Sequence, residues 1–371
     1  MRARTALLMG VGVGLASLGF MALVGAGVEL DEASGRVLGD GSSASHCPVV
    51  HPGPPKSGVS FVAPRNPVDA GAVAPVARVG AGWIGILPYA FLDPESHRIH
   101  YDREGQWWGE RPEGVEATIR YAREAGLRVM VKPHLWGRGM GWVGTYTPLS
   151  QEGWDHWKAD YTRYILELAS LSQELEVELF VVGTELDATV RERPEFWEEL
   201  IAQVREVYDG ALTYAANWDG YEDVPFWGEL DFIGVDAYFP LSSEDTPALE
   251  ELVEAWTPHL ESIAELCRRF QRPVLFPEFG YRSIDGAAGG QWELPPERAR
   301  DVPVNLEAQI LAYEALFRRW WDLPWFAGGF LWKWFAEDDE GPSGPTRADY
   351  TPQGKPVEAV IYRWYRNEVV P

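Results

Sequence analysis

Residues 179–187 read Leu179-Phe180-Val181-Val182-Gly183-Thr184-Glu185-Leu186-Asp187, and residues 273–280 read Pro273-Val274-Leu275-Phe276-Pro277-Glu278-Phe279-Gly280. Each is an apolar, β-prone run that stops at a glutamate. A strand interior rejects an unpaired carboxylate, because burying a charge without partners costs on the order of several kcal/mol. A glutamate at the exit of such a strand is therefore either a satisfied structural acid or a working one. The runs are apolar without alternation, which indicates strands covered on both faces and hence a parallel sheet.

Outward from these two stretches the pattern repeats. Apolar, β-prone runs occur at 58–62, 83–87, 128–134, 179–182, 212–216, 232–238, 274–276 and 329–332. Amphipathic helical periods lie between several of them. Trp154, Trp157, Tyr161, Tyr164, Leu168 and Leu171 recur three and four apart, and further helices are expected over 112–125, 194–208, 249–270 and 305–321. Eight buried strands alternating with helices in one body most economically close into an α/β fold of the (β/α)8 TIM-barrel type. A doubly wound open sheet is the competing arrangement. It is disfavoured because no glycine-rich phosphate loop follows the first strand. The stretch 282–304 reads as an ornamented loop after the seventh strand.

Composition narrows the partners. The chain has 371 residues, enough for one large barrel with extensions. Its net charge of −24 argues against nucleic acid, which needs a basic stripe, and against an anionic membrane surface. A neutral polymer fits this charge, and eighteen Trp with fifteen Tyr supply flat rings on which sugars can stack. The two cysteines, Cys47 and Cys267, are too few for a disulfide framework, and Cys267 in its helical pattern reads as a small buried hydrophobe. Cys47 lies too far beyond the apolar run that ends near Leu30 to be a lipidation site.

Arg2 and Arg4 precede an apolar, Gly/Ala-rich run from Ala6 to Val28, followed by Glu29, Asp31 and Glu32. This order fits export, through either a cleaved signal with a small-residue site at Val24-Gly25-Ala26 or a retained anchor. The organisation expected is a signal peptide or signal anchor over 1–30, a Gly/Ser/Pro-rich linker over 31–56, and a catalytic barrel over 57–371. The protein is expected to be monomeric, outside the cytoplasm, and in touch with a membrane only through its N-terminal segment.

Barrel active sites sit at the C-terminal ends of the strands. Those ends carry Lys132-Pro133-His134-Leu135-Trp136, Gly183-Thr184-Glu185-Leu186-Asp187, Asn217-Trp218-Asp219, Asp236-Ala237-Tyr238, Glu278-Phe279-Gly280-Tyr281-Arg282 and Trp332-Lys333-Trp334. Paired carboxylates at one mouth are the equipment of glycosidic-bond hydrolysis. Lys132 is expected to be an ion-pair partner inside the barrel. Neither a zinc motif nor alternating calcium ligands appear, so the acidic run Glu337-Asp338-Asp339-Glu340 reads as a solvated loop, and no metal or cofactor is expected.

Glutamates ending the fourth and seventh strands, with Val-Gly-Thr-Glu-Leu at 182–186, Lys-Pro-His at 132–134 and Pro-Glu-Phe-Gly-Tyr at 277–281, resemble glycoside hydrolase family 113 within the retaining barrel clan, over about residues 57–340. The resemblance implies hydrolysis of β-mannan or a related β-linked polysaccharide or oligosaccharide by double displacement. It implies Glu185 as general acid/base, Glu278 as nucleophile, Tyr238 as a donor to the nucleophile, and Trp332 as the ring under the cleaved sugar. Trp83, Trp136 and Trp218 are candidates for further subsites, His134 and Asn217 for contacts to sugar hydroxyls, and Arg282 for positive charge near Glu278. The sequence departs from the clan at Thr184, where many members carry an asparagine that bonds the sugar 2-hydroxyl; a threonine hydroxyl can still donate one bond, from a side chain of shorter reach. Two other functions compete: a carbohydrate-binding or cell-envelope barrel without catalysis, and a metal-dependent barrel hydrolase.

Overall fold

In a computed structural model, residues 45–137, 139–290, 294–295, 301–336 and 344–368 are described. The expected signal or anchor, most of the expected linker, and the acidic run 337–340 lie outside these residues. The body spanning Ala44–Pro371 forms one compact unit. Its strands are β1 (Lys56–Phe61), β2 (Trp83–Ile86), β3 (Tyr89–Asp93), β4 (Arg98–His100), β5 (Arg128–Val131), β6 (His134–Gly137), β7 (Leu179–Thr184), β8 (Ala211–Asn217), β9 (Ile233–Asp236), β10 (Val274–Phe279) and β11 (Phe326–Trp334). Its helices are α1 (Ala74–Arg78), α2 (Pro112–Glu124), α3 (Gln151–Glu174), α4 (Asp187–Glu192), α5 (Pro194–Val207), α6 (Leu249–Ala255), α7 (Thr257–Phe270), α8 (Leu306–Trp320) and α9 (Val357–Tyr365).

Eight strands close into a parallel barrel in the order β1-β11-β10-β9-β8-β7-β5-β2, and these are the eight runs expected from sequence. Closure brings β11 against β1 so tightly that a Cβ at Gly328, whose φ is +104°, would run into the Lys56 backbone. A glycine is needed there for both reasons. Alternation along each strand divides the core in two. Trp83, Met130, Leu179, Val181, Leu275 and Phe330 fill the lower barrel interior, while Phe180, Val182, Phe276 and their neighbours pack outward under the helices.

The helices begin where the sequence provides starts. Ser150 accepts from the Gly153 amide to cap α3, Asn305 accepts from the Ala308 amide to cap α8, and prolines open α2 and α5. The helix expected over 249–270 is two helices, α6 and α7, broken at Trp256. Pro258 explains the break, since it lacks an amide proton and its ring blocks the preceding turn. The sequence reading also missed a small sheet, β4-β3-β6, beside the mouth, in which β3 and β6 run parallel from Tyr89↔His134 onward.

The reading of the cysteines is overturned. Cys47 and Cys267 form a disulfide, with Cα atoms 5.9 Å apart and 220 residues between them in sequence. Cys267 sits near the end of α7, on the side of the barrel where β10 begins. The His51 amide donates to the Pro324 carbonyl at 2.7 Å, just ahead of β11. Residues 45–55, read as the end of a linker, are thus fastened across the floor of the barrel, opposite the mouth. Among the described residues no helix is long and apolar enough to cross a membrane.

Candidate active site

Strand register brings the chemistry together. Glu278 on β10 lies level with Asp236 on β9, which lies level with Asn217 on β8, all at the mouth. Glu185 follows β7 immediately. Its backbone is left-handed, with φ at +50°, a conformation costing about 1–3 kcal/mol for a residue with a side chain unless its surroundings impose it. Two hydrogen bonds impose it here. The Glu185 amide donates to Ala215 O at 2.8 Å, and the Leu186 amide donates to the Tyr214 hydroxyl at 2.7 Å. The turn lifts the Glu185 side chain out of the strand ladder at the barrel rim.

The two glutamates have opposite surroundings. Glu278 receives hydrogen bonds from Tyr238 Oη, at 2.7 Å to Oε2, and from Lys132 Nζ, at Oε1. The fully buried Lys132 ammonium also donates to Asp236, at 3.0 and 3.2 Å. Burial alone would push this ammonium down, but Asp236 and Glu278 outweigh it and hold its affinity for the proton up. Burial pushes the Asp236 carboxyl up, against the pull of Lys132. His134 lies 3.5 Å from Glu278 Oε1; burial, then Lys132, push its imidazole well below the usual range, so it is neutral. Its Nε2 has no hydrogen-bond partner.

Glu185 is pushed up to about 7, first by burial and then by the charge of Glu278. The Trp142 indole works against this shift, donating from Nε1 to Glu185 Oε2 at 2.8 Å. Beyond Glu185, Asp187 is pushed up to about 6, mainly by burial.

The remaining candidates divide. Trp332 ends near His134, their rings 6.0 Å apart, and His134 stacks on Tyr89 at 4.9 Å. Trp136 is half exposed on β6, its edge against Phe91. Trp218 packs edge-on to Phe239, and the Asn217 amide donates to Asp219 at 2.6 Å. These side chains stand around the mouth. Three readings need correction. Trp83 opens β2 instead of ending it, so it lies in the floor under Lys56 and against Phe330. The buried Arg282 spends its guanidinium on the Ala348 and Pro295 carbonyls, tying loops together, and Lys132 supplies the positive charge at Glu278. Thr184 donates to the Pro133 carbonyl at 3.0 Å, so its proton is committed to backbone and its oxygen can only accept from a ligand.

Sequence reasoning missed Trp142 and Tyr89 and underrated Asp236. A lysine inside an apolar strand signalled the Lys132–Asp236 pair. Trp142 had only a glycine-rich mouth loop, Gly139-Met140-Gly141, to mark it.

A closed parallel barrel with two unlike carboxyls at its mouth defines a hydrolase of glycosidic bonds. The model of Glycoside Hydrolase Family 113 matches residues 70–355, and the chain belongs to that family. Among solved structures, a family 113 β-1,4-mannanase is 24% identical, with 85% of this chain and 99% of that one covered at a TM-score of 0.72. The family 113 β-mannanase of Alicyclobacillus acidocaldarius is 25% identical, with 88% and 100% covered and a TM-score of 0.71. A β-glucuronidase of Faecalibacterium prausnitzii shares the fold at 13% identity and a TM-score of 0.55, with 85% of this chain and 49% of that one covered. No curated protein matches the chain.

Proposed function

We propose that this glycoside hydrolase cleaves β-1,4-mannan or manno-oligosaccharides by double displacement, with Glu278 as nucleophile and Glu185 as acid/base. The unequal environment of the two carboxyls carries the reading. One is ringed by the donors Lys132 and Tyr238; the other is held near a pKa of 7 by burial and by its neighbour's charge. A carboxyl held protonated near neutral pH beside one held by donors suits the acid and nucleophile roles.

In the first step a Glu278 oxygen bonds to the anomeric carbon, the bond to the leaving oxygen breaks, and the Glu185 proton passes to that oxygen. In the second, water attacks the same carbon, gives its proton to Glu185, and the ester to Glu278 breaks. The first step needs Glu185 protonated, so activity falls as pH rises through about 7. Neutral His134 packs beside Glu278 at the mouth, and Trp332, next to it, is placed to lie under the ring of the cleaved sugar. Membership of family 113 and the likeness to its solved β-mannanases favour mannan.

We also place the enzyme outside the cytoplasm. The basic flank and apolar run at the N-terminus and the Cys47–Cys267 bridge both suit an oxidising compartment.

Glu278→Gln and Glu185→Gln, assayed on mannan oligosaccharides, are each expected to lose at least about 10²–10⁴-fold in kcat/KM. Both variants retaining wild-type rates would end this reading.

A further inference from the structure

Trp142 is a large side chain left about two-fifths exposed at the mouth, on the loop between β6 and α3. Its placement is nonetheless defined. The turn Val143–Thr145 folds back beneath it, with Thr145 Oγ1 donating to the Trp142 carbonyl at 3.0 Å. A Cβ at Gly144 would run into the six-membered ring of the indole, so the glycine lets the ring lie on its own backbone. So held, Nε1 sits 2.8 Å from Glu185 Oε2.

An indole N–H can only donate. A carboxylic acid accepts such a bond better at its carbonyl oxygen than at its hydroxyl oxygen, so the bond favours Oε2 as the carbonyl and the proton on Oε1. We infer that Trp142 is a positioning residue for the proton of Glu185: it reserves Oε2 as acceptor and leaves Oε1 as the one oxygen that carries the proton to the leaving group and later takes it from water.

The same bond serves both halves of the reaction. While Glu185 is protonated, Trp142 fixes which oxygen is the acid. Once Glu185 is ionised, the N–H stabilises the anion, and a hydrogen bond to a charged group is the stronger kind. The other charged and titratable groups facing Glu185 are Glu278 on β10, Lys132 after β5, Asp187 on α4, Asp236 on β9, Tyr89 on β3 and Tyr214 on β8. None of these groups donates to Glu185, so among the described residues Trp142 has a role the rest of the shell does not duplicate.

The inference rests on Glu185 being the acid/base, and the test separates the two claims. Trp142→Phe keeps an aromatic plane and deletes the donor. Wild type, Trp142→Phe and Glu185→Gln are compared on mannotetraose, a poor leaving group, and on 2,4-dinitrophenyl β-mannobioside, which departs without a proton. For Trp142→Phe, kcat/KM is expected to fall roughly 10- to 100-fold on mannotetraose and less than about 2-fold on the aryl substrate. Its alkaline limb should move above the wild-type value, because a bond to the charged form has been removed. A ring that only stacks on sugar would lower both substrates alike and leave the limb in place. Equal losses on both substrates, or an unmoved limb, overturn the inference while Glu185→Gln still shows its leaving-group dependence. If Glu185→Gln shows none, the acid/base assignment fails and the inference falls with it.

Discussion

Lys132 at the mouth and Lys56 at the floor are both buried in the same barrel. Lys132 meets two carboxylates, Asp236 and Glu278, and its hold on the proton rises despite burial. Lys56 lies 4.3 Å from the centre of the Phe232 ring, 5.4 Å from that of Trp83, and 3.2 Å from His51 Nε2, and its pKa is pushed down to about 8 by burial and then by Arg128. One lysine is held charged to serve a carboxylate; the other is tolerated by rings that accept a cation over their faces. The difference separates charge paired with the carboxyls of the candidate site from charge that packing accommodates.

Replacing each lysine by methionine exposes that difference. Lys132→Met leaves Asp236 and Glu278 facing each other without a cation. Losing one member of a buried pair costs about 3–5 kcal/mol of stability. Glu278, the proposed nucleophile, also loses a preorganised donor, for which a fall of about 10²–10³ in kcat is expected. Denaturant titration and steady-state kinetics on mannan oligosaccharides read the two effects, and a variant with wild-type kcat would mean that Lys132 serves only the fold. Lys56→Met is expected to leave kcat/KM unchanged and to shift stability by no more than about 1 kcal/mol at neutral pH. The sign of its pH dependence follows from linkage. Lys56 binds its proton less tightly folded than unfolded, so the unfolded state holds more protons between about pH 8 and the ordinary lysine value of 10.5. Wild-type stability therefore gains a component as pH rises through that window, and Lys56→Met loses it. Parallel stability curves for the two proteins would contradict the lowered value.

The same contrast marks where sequence was legible. Barrel strands are buried on both faces, so all eight appear as apolar runs, and a carboxylate ending such a run stands out at once; Glu185 and Glu278 were visible for that reason. Strand direction was harder to read. Trp83 belongs to an apolar run just as Trp332 does, yet one enters its strand and the other nears the exit, so they lie at opposite ends of the barrel. Loop and long-range features left no periodic trace. Trp142 reaches Glu185 only because a short loop folds back over the mouth, and Cys47 and Cys267 meet only once the barrel between them has closed.

The central claim is that Glu278 attacks the sugar directly and Glu185 supplies and removes the proton. The stereochemistry of the first product tests it. Proton NMR of mannopentaose hydrolysis, followed from the first minutes and ahead of mutarotation, should show the β-anomer of the new reducing end rising first. An initial rise of the α-anomer would mean single displacement by water, and would contradict the role given to Glu278.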